Sequence, residues 1–151
     1  MHQDAKALVH RWFDEVWNQG REETIDELFT SDGVAYGLGE SDVTVHGPPE
    51  FKVFFHTMRS TFPDLRIHIE DSVAEGDKCA VRVVLEGTHN GPGFGVRPTG
   101  RRIRVAGIVI IHVANGKLAA GWNTWDQLGL LRQIGALPGQ SGTDRFLGDR
   151  A

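Results

Sequence analysis

The sequence predicts an α+β fold: N-terminal helices on one face of a curved, mostly antiparallel sheet, forming a cone with an internal pocket. Apolar residues keep helical spacing through the first part of the chain, and from residue 66 the spacing switches to period two. The strands so marked are joined by short turns at Glu75-Gly76-Asp77 and Asn115-Gly116 rather than by crossover helices, which favours hairpins over a parallel sheet.

The chain has 151 residues, 40% of them hydrophobic and 24% charged, the composition of one ordinary globular domain. Residues 1–138 read as that domain. The polar, glycine-rich stretch 139–151 reads as a mobile tail.

Ala5, Leu8, Val9, Trp12, Phe13, Val16 and Trp17 fall at i, i+3, i+4, i+7 spacing and mark an amphipathic helix that Gly20 can end. A short second helix holds Ile25, Leu28 and Phe29. Thr30-Ser31-Asp32-Gly33 then has turn chemistry, with a brief strand at 34–37. Gly47-Pro48-Pro49-Glu50 opens a third helix, since proline costs no hydrogen bond in a first helical turn; its stripe is Phe51, Phe54, Phe55, Met58 and Phe62.

Ile67 and Ile69 begin the alternating pattern, and Val81, Val83 and Leu85 continue it on the returning strand. A glycine-rich excursion from Gly87 to Gly100 follows; with neither the lysine nor the following helix of a phosphate loop, it carries no nucleotide site. Ile103 to Val113 is a long apolar strand that Lys117 to Trp125 returns beside. A short helix begins after Asp126.

With 16 basic against 20 acidic residues the net charge is −4, which leaves no global basic field for nucleic acid or an anionic membrane. The N-terminus lacks the pattern of a signal peptide and no apolar run reaches membrane-spanning length, so a cytoplasmic protein is expected. The single cysteine, Cys79, reads as a small buried hydrophobe in a strand. Seven scattered histidines without a ligand-spaced partner predict no metal, and no motif predicts a cofactor.

Few residues are left for chemistry. Asp126, beside tryptophans, is poorly solvated in a way that suits proton transfer, and equally stands where a helix cap belongs. His112 ends the apolar strand. A plain two-residue turn at Asn115-Gly116 pairs it with Ala119 and sets it on the face opposite Asp126, whereas a bulge reverses that parity. His89 shares the inward parity of Val81 and Val83, or orders the glycine-rich segment. Asn123 can bind a substrate carbonyl or a neighbouring backbone group, and Trp17, Phe55 and Trp122 are candidates for the pocket wall. Ile108, Ile110 and Trp125 are expected to share an outer apolar face that a second copy covers, giving a homodimer.

Several motifs occur in a familiar order. Val45-His46-Gly47-Pro48, Phe62-Pro63-Asp64-Leu65, Gly87-Thr88-His89-Asn90-Gly91, Pro98-Thr99-Gly100-Arg101 and Asn115-Gly116-Lys117-Leu118 lead into Trp122-Asn123-Thr124-Trp125-Asp126-Gln127-Leu128-Gly129. Together these resemble the SnoaL-like polyketide cyclases over roughly residues 5–137, within the cone fold shared with nuclear transport factor 2 and ketosteroid isomerase. The resemblance implies cofactor-free intramolecular aldol chemistry on a small apolar carbonyl compound, with Asp126 as acid/base, assisted by His112. It departs from many relatives in having Asn123 where they carry an aspartate. The alternatives are an epoxide hydrolase of the same fold, which the outward parity of Arg82 and Glu86 opposes, and a non-catalytic module that binds a small ligand.

Overall fold

The computed structural model describes residues 4–39 and 43–136. Helix α1 (Ala5–Trp12) starts on Asp4, whose carboxylate accepts from the Lys6 N–H at 3.2 Å, and buries Ala5, Leu8, Val9 and Trp12. The periodic stretch does not end as an α-helix: Phe13–Asn18 is a π-helical turn, closed by the Gln19 N–H donating to the Asp14 carbonyl. Its wider turn keeps Phe13, Val16 and Trp17 all buried. Two side chains fix it: the Asn18 carboxamide exchanges both hydrogen bonds with the Ile67 backbone, at 2.7 and 2.8 Å, and the Arg59 guanidinium donates to the Trp17 carbonyl at 2.7 Å. Glu15 ties the turn to the next helix through Arg11, Arg21 and the Thr24 hydroxyl, and the Arg11 hydrogen bond in particular holds its carboxyl below the ordinary range.

Helix α2 (Glu23–Leu28) runs straight into strand β1 (Phe29–Leu38), so the turn expected at 30–33 is strand instead. The chain can stay extended there because Gly33 offers a bare backbone on which the Phe29 ring lies; a Cβ would stand 2.5 Å from that ring. Strand β2 (Val43–His46), which has no period long enough to read from sequence, pairs with β1. Helix α3 (Gly47–Thr61) then begins at the expected prolines, and Glu50 reaches back to the His46 N–H at 2.8 Å.

Strands β3 (Arg66–Glu75), β4 (Lys78–Thr88), β5 (Arg102–Ala114) and β6 (Lys117–Trp125) complete the sheet, and α4 (Gln127–Gln133) closes the described chain. The sheet order is β2-β1-β6-β5-β4-β3, with β1 and β6 parallel and the other pairs antiparallel; β2 and β3 are open edges. The core lies between the helices and the face that carries Val81, Val83, Val105, Val109 and Ile111. Cys79 is buried in that core, and burial pushes its thiol pKa up. Residues 139–151, expected as a tail, lie outside the described residues.

The register of β5 and β6 decides what faces the core. Ala114 pairs with Lys117 and Val113 with Leu118, as a two-residue turn at Asn115-Gly116 requires; then Ala119 is bulged out and His112 pairs with Ala120. One extra residue reverses the parity of everything after it. Trp122 and Thr124 stand on the outer face with Ile110 and Ile108, and Asn123 and Trp125 turn inward, so the expectation that Trp125 shares an outer face with Ile108 and Ile110 is corrected.

Candidate functional site

Between the helices and the inner sheet face lies a cavity of about 110 Å³. A single water needs only ~10–15 Å³, so the cavity has room for a small molecule's worth of atoms. The helices contribute Trp12, Phe13, Trp17, Phe51, Phe54 and Met58; the sheet contributes Val105, Val109, Ile111, Leu118, Asn123 and Trp125 among others, and α4 contributes Gln127 and Leu130. Phe94 reaches it from the glycine-rich segment. That residue holds a left-handed backbone at φ 57°, and its ring packs 6.1 Å from Phe62.

Among the described residues the lining is apolar except for two carboxamides, and none of these lining residues is titratable. Asn123 is held in place: its amide N–H donates to the Tyr36 carbonyl at 3.0 Å, and its oxygen receives a long 3.4 Å contact from the Trp125 indole N–H. The bond to Tyr36 needs β1 close against β6. Gly37 allows that approach, since a Cβ there would collide with the Asn123 carbonyl and its φ of +78° is strained for other residues. Gly107 does the same beneath the Trp125 ring, where a Cβ would stand 2.5 Å away.

The residues expected from sequence divide. Asn123 and Trp17 line the cavity. Phe55 is buried 5.6 Å from the Trp17 ring but belongs to the core behind the wall, and its neighbours Phe51 and Phe54 take the lining positions. Trp122 stands on the outer face, stacked 5.4 Å from Tyr36, because the bulge put it there. His112 is on that face too, 4.7 Å from the Trp122 ring.

Asp126 ends β6, its N–H bonded to the Ala106 carbonyl at 3.0 Å; its carboxylate is exposed, not poorly solvated as its tryptophan neighbours suggested, and caps α4 by accepting from the Gly129 N–H at 2.9 Å. The bulge does put Asp126 and His112 on one parity, but six positions apart along β5, roughly 20 Å at the strand rise, and neither lines the cavity. His89 is fully buried and orders the glycine-rich segment: its Nδ1 accepts from the Thr99 N–H at 3.3 Å, and its Nε2 has no partner among the described residues. Burial lowers its pKa.

Gln127 and Phe94 went unread as pocket residues. No periodicity marks the first residue of a short helix or the tip of a glycine-rich loop, so the sequence carries no signal for either.

The chain as a whole matches a known family. The family model of the SnoaL-like polyketide cyclases matches residues 7–134. The chain belongs to that family. Among SnoaL-like relatives, aklanonic acid methyl ester cyclase DauD of Streptomyces sp. (strain C5) is 28% identical over 130 residues, covering 85% of this chain and 80% of its own. The corresponding DnrD of Streptomyces peucetius is also 28% identical, covering 85% and 88%. A solved SnoaL-like structure from Jannaschia sp. CCS1 superposes with a TM-score of 0.79 at 27% identity, over 89% of this chain and 93% of that one. TsrD from Streptomyces laurentii gives 0.76 at 30%, over 87% and 95%. Membership of the SnoaL-like family implies a small-molecule ligand. Among the described residues no helix is long and apolar enough to cross a membrane, and no three metal-ligating side chains come together.

Proposed function

We propose that the chain is a cyclase that closes a ring in an apolar, carbonyl-bearing small molecule held in the cavity. The observation that carries this is the lining: aromatic and aliphatic walls with two neutral carboxamides and no charge, which suits a flat apolar ligand with a few oxygens. A proton acceptor removes a hydrogen from the carbon beside one carbonyl, that carbon bonds to a second carbonyl carbon, and the second oxygen takes a proton to become a hydroxyl. Nothing is oxidised or lost in this aldol step, so no cofactor is called for.

Asn123, fixed by Tyr36, is suited to polarise the first carbonyl. Asp126 is assigned as proton acceptor by the family resemblance alone: its neighbours Trp125 and Gln127 line the cavity, while its own carboxylate is exposed and caps α4. His112 has no part in the proposal: its ring packs on Trp122 on the outer face, roughly 20 Å along the strand from Asp126.

A second reading, a binding module without turnover, is favoured because no described residue of the lining is titratable. Exchange of the α-protons of 1-tetralone in D₂O separates the two. Acceleration by the protein, lost in Asp126→Asn, supports the cyclase chemistry, while tight binding without exchange supports the module.

The outer face suits a second copy of the chain. Ile108, Ile110, Trp122 and Tyr36 are 52%, 44%, 42% and 38% exposed and adjoin one another across β5, β6 and β1. Charges of both signs flank them at Arg82, Glu86 and Arg104, the last two paired at 3.7 Å, so the rim carries no single-sign field that would repel a second copy.

A further inference from the structure

The cavity presents its two polar groups in different states. Asn123 is committed to Tyr36 and Trp125 before any ligand arrives. The Gln127 carboxamide lines the same cavity and makes no hydrogen bond among the described residues. A half-buried amide facing hydrocarbon loses hydration without compensation, a cost that a ligand oxygen can remove. Its backbone is held all the same: Gln127 is the first residue of α4, the Asp126 carboxylate caps that helix, and Leu130 anchors it one turn later against the core.

We propose that Gln127 is a specificity-determining residue whose side-chain N–H takes an oxygen of the ligand and selects carbonyl-bearing ligands over hydrocarbons of the same shape. This rests on the cavity being the ligand site. Asn123 supplies a fixed contact and Gln127 an adaptable one, separated along the chain by Trp125 and the cap, so a ligand reaching both spans the junction of β6 and α4. Gln127 acts by binding and carries no proton, so it is not a catalytic residue.

The test is the affinity of the full chain for tetralin and 1-tetralone, which differ by one carbonyl oxygen, in the native protein and in two variants. Gln127→Met keeps length and removes the donor. Gln127→Glu is the folding safeguard, since an acidic residue suits the first turn of a helix, and it presents acceptors where the ligand needs a donor. The expected result is a three- to tenfold loss of 1-tetralone affinity in both variants, with tetralin binding unchanged. Equal change for both ligands, or none for either, would overturn the role of Gln127 while leaving the cavity reading intact. If neither compound binds the native protein, the cavity reading itself fails.

Discussion

Trp122 and Trp125, three residues apart on β6, stand on opposite faces of the sheet: Trp122 stacks on Tyr36 outside, and Trp125 lies over the bare backbone of Gly107 inside. Because Gly107 makes room for that ring, Gly107→Val should push Trp125 into the cavity. The expected outcome is weaker 1-tetralone binding by an order of magnitude, with a destabilisation of about 1–3 kcal/mol from overpacking. Calorimetry and a thermal melt read both.

The outer face predicts a homodimer that a charge should break. Ile108→Arg or Trp122→Glu, both at exposed positions, should leave the monomer folded and shift the protein from dimer to monomer in light scattering. A native protein that scatters as a monomer at every concentration would contradict the pairing.

Asp126 separates its two roles by substitution. Asparagine is about as good a cap, so Asp126→Asn should melt with the native protein, while Asp126→Ala should cost about 1 kcal/mol as α4 loses its first turn. Proton exchange into 1-tetralone should fall roughly 10²-fold in the asparagine variant. His112→Ala should change it little, since that ring faces Trp122.

His89 predicts a loss of stability on mild acidification. Burial lowers its folded pKa, so the folded state resists a proton that the unfolded chain accepts once the pH drops below the ordinary histidine value of about 6.5. Between that value and the lowered folded one, stability falls as pH falls. Glu15 and Asp64 have folded pKa values below the ordinary ones, so the stability they add is lost only further down, from about pH 4. Melting temperatures from pH 7 to 5 should therefore fall more steeply for the native protein than for His89→Gln.

The fold was legible because its period is strong. The α1 stripe, the prolines of α3 and the Asn115-Gly116 turn each state their structure locally. The site was less so, because one bulged residue controls it. Nothing in Leu118-Ala119-Ala120 announces that Ala119 leaves the ladder, yet that bulge turns Asn123 and Trp125 inward and sends Trp122 outward. Phe55 is hard to place for a similar reason: its helical stripe is wide enough that Phe51, Phe54 and Phe55 all qualify as lining and all three pack on Trp17, yet only Phe51 and Phe54 reach the cavity. His89 and Asp126 show the limit of residue type as a guide, since each does local hydrogen-bonding work that its neighbours in sequence allow.

The chain carries four tryptophans, and three of them, Trp12, Trp17 and Trp125, line the cavity while Trp122 stands outside. Their indole N–H signals in a ¹H–¹⁵N spectrum therefore report on the site directly. On titration with 1-tetralone, the signals of Trp12, Trp17 and Trp125 should move together along one binding curve while that of Trp122 stays in place. Movement of Trp122 alone, or no movement at saturating ligand, would contradict the cavity as the place where this protein holds its ligand.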